Sequence, residues 1–469
     1  MLFNSVQFLF FLPIVLILYF VLKDTKQRFM LLVASFYFYM AWNAYFIFLL
    51  LFSIVIDYFA ALILSKLDRQ DPNRKIYLIV SLVTNLGFLA YFKYTNFIIE
   101  VLSDIHLFSS RDFTSLDIIL PVGISFYTFQ SMSYTIDVYR GKIEAEKSFL
   151  DFALYVSFFP QLVAGPIVRA ETFFRDLKNR LPVDADVIRF SFAQILLGFT
   201  KKVVMADNLA IVVDSVFSNH SSMNSIEIWT GVFAFMWQIY FDFAGYTDIA
   251  IGVARLFGFQ FDVNFYFPFN VRSISEHWSR WHISFTSWIR DYIYIPLGGS
   301  KGSRLLVHRN IMITFVFGGL WHGAAYHFLA WGLWHSTMLS VEREYSATDL
   351  SKWLNQKGGI LYDLFCRIFT MICLGAGLPF FRSETMRDAW SMLGKMFFVS
   401  PNSYSQSFQN LNYFKLVVIC FVTGYVFEKF QLKRIVVSTA LFTLFILGNF
   451  FLLLSFGVRE AKNFIYFAF

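Results

Sequence analysis

The chain has 469 residues, with 39 Lys or Arg against 32 Asp or Glu, and only 15% of it is charged while 57% is hydrophobic. An ordinary soluble domain carries about 25% charged residues, and 62 Phe with 24 Tyr at a mean hydropathy of +0.56 need lipid or an implausibly large dry core. A disordered chain, a collagen-like fibre, a disulfide-stapled secreted domain and a soluble multidomain enzyme are thereby excluded. The sequence reads as a polytopic membrane protein whose first partner is the lipid bilayer.

A spanning helix needs about 20 mostly apolar residues. In chain order the candidates are 6–22, 29–46, 47–65, 76–94, 118–138, 149–165, 190–206, 226–245, 311–341, 359–380, 412–427 and 435–456. Some are short or merged, so the expectation is an all-α protein with roughly 10–12 membrane helices by this length criterion. No positive charge precedes the first apolar run and no small-residue cleavage pattern follows it, so 6–22 reads as a retained helix. The stretch 311–341 is interrupted at Gly318-Gly319 and again at Trp321-His322-Gly323, which fits either one broken helix or a tight hairpin.

Loop charge sets the orientation. Lys23–Arg28 holds three bases and one acid, Lys66–Lys75 four and two, and Glu428–Arg434 three and one, whereas 103–117 holds one base and three acids. The first three are expected in the cytoplasm and the last outside, which puts the N-terminus outside and the segment 254–310 inside. That segment is rich in Trp, Arg, His and Tyr without being continuously apolar, and is expected to form re-entrant or interfacial helices, because polar groups at membrane depth need protein or water to satisfy them. A second polar stretch, 168–189, reads as an interfacial helix and loop. The whole of 1–469 reads as a single membrane domain, with N-terminal helices to 159, a core over 160–341 and C-terminal helices over 342–469.

Cys366, Cys373 and Cys420 sit in apolar runs without a C-x-x-C pair and read as small hydrophobes. Of eight histidines, His106 and His220 fall in expected outside loops and His308 at a helix start, while His277, His282, His322, His327 and His335 cluster within 59 residues among tryptophans. An ionisable group in a membrane helix is a functional candidate. His277, His327 and His335 read as structural, hydrogen-bonded to a nearby carbonyl. His322 reads as functional: it follows a Gly pair deep in an apolar run, where glycines let backbones approach or a helix break. A neutral imidazole there can take the proton of a hydroxyl attacking an acyl carbon, although a proton relay in a transporter would look the same. No carboxylate lies within 311–341 and His322 and His327 are five apart, so no metal site is expected. H-x-x-x-x-D and P-loop patterns are missing. The net charge of +7 is spread over cytoplasmic loops, which points to topology and not to nucleic acid.

At 3.6 residues per turn Trp278, Trp281 and His282 share a helical face. Trp and Arg along 275–291 read either as interfacial anchors or as a vestibule in which Arg280, Arg290, Lys301 and Arg304 attract a phosphorylated carrier.

These stretches together resemble the membrane-bound O-acyltransferase family, in its bacterial alginate O-acetyltransferase branch. The matching text is Pro160-Gln-Leu-Val-Ala-Gly-Pro-Ile167, Gln238-Ile-Tyr-Phe-Asp-Phe-Ala-Gly-Tyr-Thr-Asp248, Ser273-Ile-Ser-Glu-His-Trp-Ser-Arg-Trp-His-Ile-Ser284, Trp288-Ile-Arg-Asp-Tyr-Ile-Tyr-Ile-Pro-Leu-Gly-Gly299 and Gly319-Leu-Trp-His-Gly-Ala324, with support from Met1-Leu-Phe-Asn-Ser5 and Phe464-Ile-Tyr-Phe467. The resemblance implies helices around a transmembrane tunnel, His322 as the active-site residue and His282 as a second functional histidine, with Trp278, Trp281, Arg290, Asp291 and Trp321 lining or buttressing the tunnel. It implies no tightly bound cofactor, acetyl-CoA or another acyl thioester as co-substrate, an extracytoplasmic hydrolase-like partner, a secreted polysaccharide as final acceptor and a place in the bacterial inner membrane. The rival readings are a transporter or flippase for a lipid-linked glycan or acyl carrier, a scaffold of an export complex, and a lipid acyltransferase.

Overall fold

The computed structural model describes residues 1–105, 116–398, 438–458 and 464–465. Among these the chain forms twenty α-helices and no strand. Four are long and apolar enough to cross a bilayer: Ala44–Lys66, Arg74–Asp104, Gly359–Arg382 and Thr439–Phe456. The expected span 412–427, the loop 428–434, His106 and Cys420 lie outside the described residues. Two compact units form, one from 1–195 with 246–262, the other from 196–245 with 263–469.

The first unit carries α1 (Val6–Val21), α2 (Asp24–Met40), α3 (Ile47–Lys66), α4 (Arg74–Leu89), α5 (Thr95–Asp104), α6 (Ile124–Tyr139), α7 (Phe149–Ser157), α8 (Phe159–Leu162) and α9 (Ala170–Lys178). The expected span 76–94 does not stop there; a π-turn over Ala90–Tyr94 joins α4 to α5. The expected span 149–165 breaks at Phe158, where Pro160 opens a new single turn; a proline favours a helix start because its missing N–H is one of the unused donors there. The core of this unit is held around one fully buried carboxylate, Asp57 of α3. It accepts from Ser81 and Ser131 hydroxyls, from Asn85 Nδ2 at 2.9 Å and from Thr135 at 3.2 Å. A buried carboxylate is expensive unless its oxygens are bonded, so these contacts from α4 and α6 fix how the two helices meet α3.

The helix α10 (Ala185–Phe199) leads through a π-segment, Thr200–Ala206, to α11 (Asp207–Ser218), and α12 runs from Ser225 to Leu256, eleven residues past the expected span end at 245. Hydropathy understates α12 because its last turns are polar: Asp248 and Arg255 both bond Gln194, at 3.2 and 2.7 Å. In the second unit the π-segment points Lys202 at Asp207 and Asp242, 2.8 and 2.6 Å away, all three buried. Asp242 also accepts the Ile465 N–H at 2.8 Å, and the Lys202 ammonium lies 4.6 Å from the Phe464 ring. The polar group that hydropathy marks as costly is thus part of a closed network.

Short helices α13 (Ile274–Arg280) and α14 (Ile283–Ile289) follow, then α15 (Arg304–His322), α16 (Tyr326–Ala347), α17 (Asp349–Lys357), α18 (Gly359–Arg382), α19 (Met386–Phe397) and α20 (Thr439–Phe456). The interrupted stretch 311–341 is a hairpin: α15 ends at His322, Gly323 and Ala325 are extended, and α16 runs back. A methyl group on Gly319 would collide with the Phe328 carbonyl, and one on Gly332 with the Phe315 carbonyl. The two helices therefore run antiparallel with their backbones in contact, as small residues permit between membrane helices. Cys366 and Cys373 are free thiols on α18.

Three substitutions test this packing. Gly332→Ala is expected to destabilise the protein by about 1–3 kcal/mol through overpacking, read as a lower melting temperature in detergent. Gly394→Ala, where an added Cβ meets nothing within 4 Å, is expected to raise it by the equivalent of about 0.5–1 kcal/mol. Lys202→Met, which strands two buried carboxylates, is expected to destabilise by about 3–5 kcal/mol, and the same measurement checks it.

Candidate active site

His322 is the last residue of α15, with Gly323 as its C-cap. It is buried, its ring centroid 5.0 Å from Trp321, 5.1 Å from Trp331 and Phe381, and 5.7 Å from Phe285. Gly323 lets Phe328 occupy the space a side chain would fill, so the chain leaves the helix tightly packed. His322 lines a cavity of about 50 Å³ together with Trp278, Trp281, His277, Trp331, His335, Leu374, Leu378 and Phe381. Of the residues singled out in the sequence, the structure brings His322, Trp278 and Trp281 to one chamber.

The helix expected to run through 275–282 ends at Arg280. Trp281 is extended and His282 is left-handed, with φ +42°, a region uncommon for a residue with a Cβ. Asn264 holds this bend. Its carbonyl accepts from Ile283 N–H at 2.9 Å, and its Oδ1 accepts from Ser284 N–H at 3.0 Å, Ser284 Oγ at 2.9 Å and His282 Nδ1 at 3.2 Å. Because a main-chain N–H can only donate, the atom facing it is the amide oxygen, so His282 carries its proton on Nδ1 and its lone pair on Nε2. Asn264 stands 18 residues before His282, and no local spacing marks it.

His282 does not line the cavity. Phe285 and Trp321 stack at 4.3 Å, and each touches both histidines: Phe285 lies 5.1 Å from His282, and Trp321 lies 6.0 Å from it. Trp321 is therefore a buttress between the two. His277 gives its Nδ1 proton to the Pro268 carbonyl at 2.7 Å and His327 its own to Phe380 at 2.9 Å, structural bonds of the kind read from the sequence. His335 differs: its Nδ1 has no hydrogen-bond partner among the described residues, and it faces the cavity. His220, expected in solvent, is half-buried, bonding the Phe217 carbonyl at 3.0 Å and standing 3.5 Å from Asp388.

Arg290 sits outside the chamber. It opens a π-turn over Arg290–Tyr294, pairs with Asp291 at 2.9 Å and lines a cleft of about 800 Å³ with Arg304, Arg343, Glu342 and Glu344. Trp278 lines both this cleft and the chamber. A third cavity of about 770 Å³ runs between α13, α16, α17 and α18, separated from the cleft by Glu342, which caps α13 by accepting Ile274 N–H at 2.7 Å. A buried imidazole beside an aromatic chamber, one side chain from an arginine-lined cleft, suits proton transfer.

The model of MBOAT, the membrane-bound O-acyltransferase family, matches residues 35–357. The chain belongs to that family. It is 38% identical to the probable alginate O-acetylase AlgI of Pseudomonas aeruginosa over 85% of this chain and 75% of that protein. It is 35% identical to the peptidoglycan O-acetyltransferase of Helicobacter pylori over 84% of this chain and 80% of that protein. A teichoic acid D-alanyltransferase of Bacillus subtilis is 25% identical over 55% of this chain. The protein is accordingly an all-α, multi-pass membrane O-acyltransferase.

Asn264→Ala is expected to free the His282 bend and remove its Nδ1 acceptor. The buried groups left unpaired correspond to about 1–3 kcal/mol each. Acyl transfer should fall at least tenfold with expression retained, measured against wild type in the same detergent.

Proposed function

We propose that this protein is a bacterial inner-membrane O-acetyltransferase that moves acetyl from acetyl-CoA in the cytoplasm towards a secreted polysaccharide, through an extracytoplasmic hydrolase-like partner. The single observation that carries the reading is His322, buried in a small chamber and separated by Trp278 from a cleft lined by Arg290, Arg304 and Arg343. The relatives named for O-acetylation of alginate and peptidoglycan support the acetyl group and the glycan acceptor.

In this reading the arginines draw in the phosphates of the donor, and the thioester reaches the chamber. His322 accepts the proton of the acceptor hydroxyl as its oxygen attacks the acyl carbon. The new C–O bond forms, the C–S bond breaks, and the proton passes to the departing thiolate, leaving the ester and free thiol. His322 gains positive charge during this step. It does so at the C-terminal end of α15, whose partial negative charge favours a cation, and within 5.1 Å of the Trp331 and Phe381 rings, whose faces attract one. His282, held by Asn264, would orient the thioester or stabilise charge, Trp281 would line the chamber, Trp321 would buttress it, and Asp291 would hold Arg290.

The test uses purified protein in liposomes with acetyl-labelled coenzyme A supplied on the cytoplasmic face. Label transfer is expected to fall 10²–10⁴-fold in His322→Ala, the range for losing a general base. Full transfer by that variant at equal protein level would overturn the assignment.

A further inference from the structure

We propose that the cavity between α16 and α18 binds a phospholipid with an ammonium headgroup, of the phosphatidylethanolamine class, drawn from the leaflet along which α17 lies. The two helices are clasped at both ends of this cavity. The Tyr345 and Tyr362 hydroxyls stand 3.1 Å apart at one end, and Trp334 Nε1 donates to the Cys373 carbonyl at 2.9 Å at the other. Between the clasps the walls change character with depth. Arg272, Glu276, Glu342 and Asn355 line the Tyr362 end, and Met338, Phe369 and Cys373 the other. From Tyr362 to Cys373 the apolar helix α18 advances roughly 16 Å at 1.5 Å per residue, near half of the ~30 Å hydrocarbon core of a bilayer. At the polar end α17 turns Ser351 and Asn355 to the cavity and leaves Leu350 and Trp353 exposed, as a helix lying in the membrane interface does. Val341, Phe365 and Phe369 are exposed along the mouth, so an acyl chain can enter from the side. The cavity thus has the polarity gradient and the depth of one leaflet.

The headgroup follows from charge. The ionic residues on the wall are one base, Arg272, and two acids, Glu276 and Glu342. Glu276 pairs with Arg280 at 2.6 Å, and Arg272 stands 2.9 Å from Asp363. Glu342 makes no ion pair among the described residues; it accepts from the Ile274 and Ser275 N–H groups at 2.7 and 3.3 Å. A half-buried carboxylate facing a cavity without a counter-cation is costly. A primary ammonium supplies the missing charge together with three donors, and the phosphate next to it on the same headgroup meets Arg272. A glycerol headgroup would bring only negative charge towards two acids. A trimethylammonium would bring positive charge without a donor, and so without the charge-assisted hydrogen bond. With the ammonium at Glu342, one acyl chain runs past Met338 and Phe369, and the other stays in the bilayer against Val341 and Phe365.

The experiment is native mass spectrometry of the full chain, delipidated in detergent and titrated with dioleoyl phosphatidylethanolamine, phosphatidylglycerol or phosphatidylcholine, in wild type, Glu342→Gln and Val341→Trp. Glu342→Gln keeps an amide oxygen for the Ile274 N–H and removes the charge. Val341 is 58% exposed, so an indole there fills the mouth of the cavity without entering the core. Wild type should hold one phosphatidylethanolamine about tenfold or more tightly than either other lipid, the scale of one charge-assisted hydrogen bond. Glu342→Gln should bring the three affinities within about twofold of one another; because a ratio is read, partial loss of folded protein does not affect it. Val341→Trp should weaken all three lipids by roughly tenfold, as overfilling an apolar site does. Phosphatidylglycerol or phosphatidylcholine bound as tightly as phosphatidylethanolamine by wild type overturns the headgroup assignment. Unchanged affinities in both variants overturn the site. Displacement of the bound lipid by coenzyme A also overturns it, by making the cavity part of a donor's path. No turnover is read, so the acyl-transfer reading can fail while the lipid site stands.

Discussion

The contact of α15 with α16, backbone against backbone, is what the chemistry near His322 depends on. Gly319 and Gly332 each face a carbonyl of the opposite helix, leaving no room for a side chain. That proximity brings Trp331 and His335 of α16 onto the chamber that His322 lines from the end of α15. It also brings Phe315 and His335 to Trp278, at 5.1 Å each. Widening the hairpin by a methyl group would therefore move His322, its aromatic walls and the wall towards the cleft together. In lipid, where apolar burial between helices gains little over contact with acyl chains, such close packing is what association has to rest on.

The second theme is how polar groups are carried in a chain this apolar. Several charges and histidines, buried or exposed, are placed at junctions where the backbone changes course. Lys202 lies in a π-segment, Arg290 opens another, and His282 sits at the bend between two seven-residue helices. Irregular helical turns leave main-chain groups that need partners and reposition side chains off the helical spiral, which is why they recur at functional positions. Asp57 follows the complementary rule: it sits inside a regular helix and recruits hydroxyl and amide donors from its neighbours.

Much of this was legible in the sequence, and the limits have physical causes. Helix content, the apolar spans and the carbonyl-bonded His277 and His327 follow from local pattern. Trp278 and Trp281 both line the chamber although the helix expected to carry both ends between them, because the chamber collects them from a helix end and an extended residue. What local pattern could not supply is contact made across the fold. Asn264 fixes His282 from 18 residues away, and nothing in its neighbourhood sets it apart from a loop asparagine. The full length of α12 escaped for the same reason, since the polar residues that appear to end the span are bonded to Gln194 on another helix.

The two motif histidines are chemically unlike, and the difference lies in the backbone around them. His322 ends a 19-residue helix, His282 begins a seven-residue one. A helix C-terminus favours a group that becomes positive; an N-terminus does not. Asn264 further fixes His282 with its proton on Nδ1, because an amide oxygen already receiving Ser284 N–H can only accept. A residue at the negative end, ringed by aromatic faces, is suited to taking a proton. The Phe285–Trp321 stack lies between them: it touches both rings, and of the pair only His322 lines the chamber. The difference in setting between the pair thus follows from where each helix starts or stops, which is set by glycine at one position and asparagine at the other.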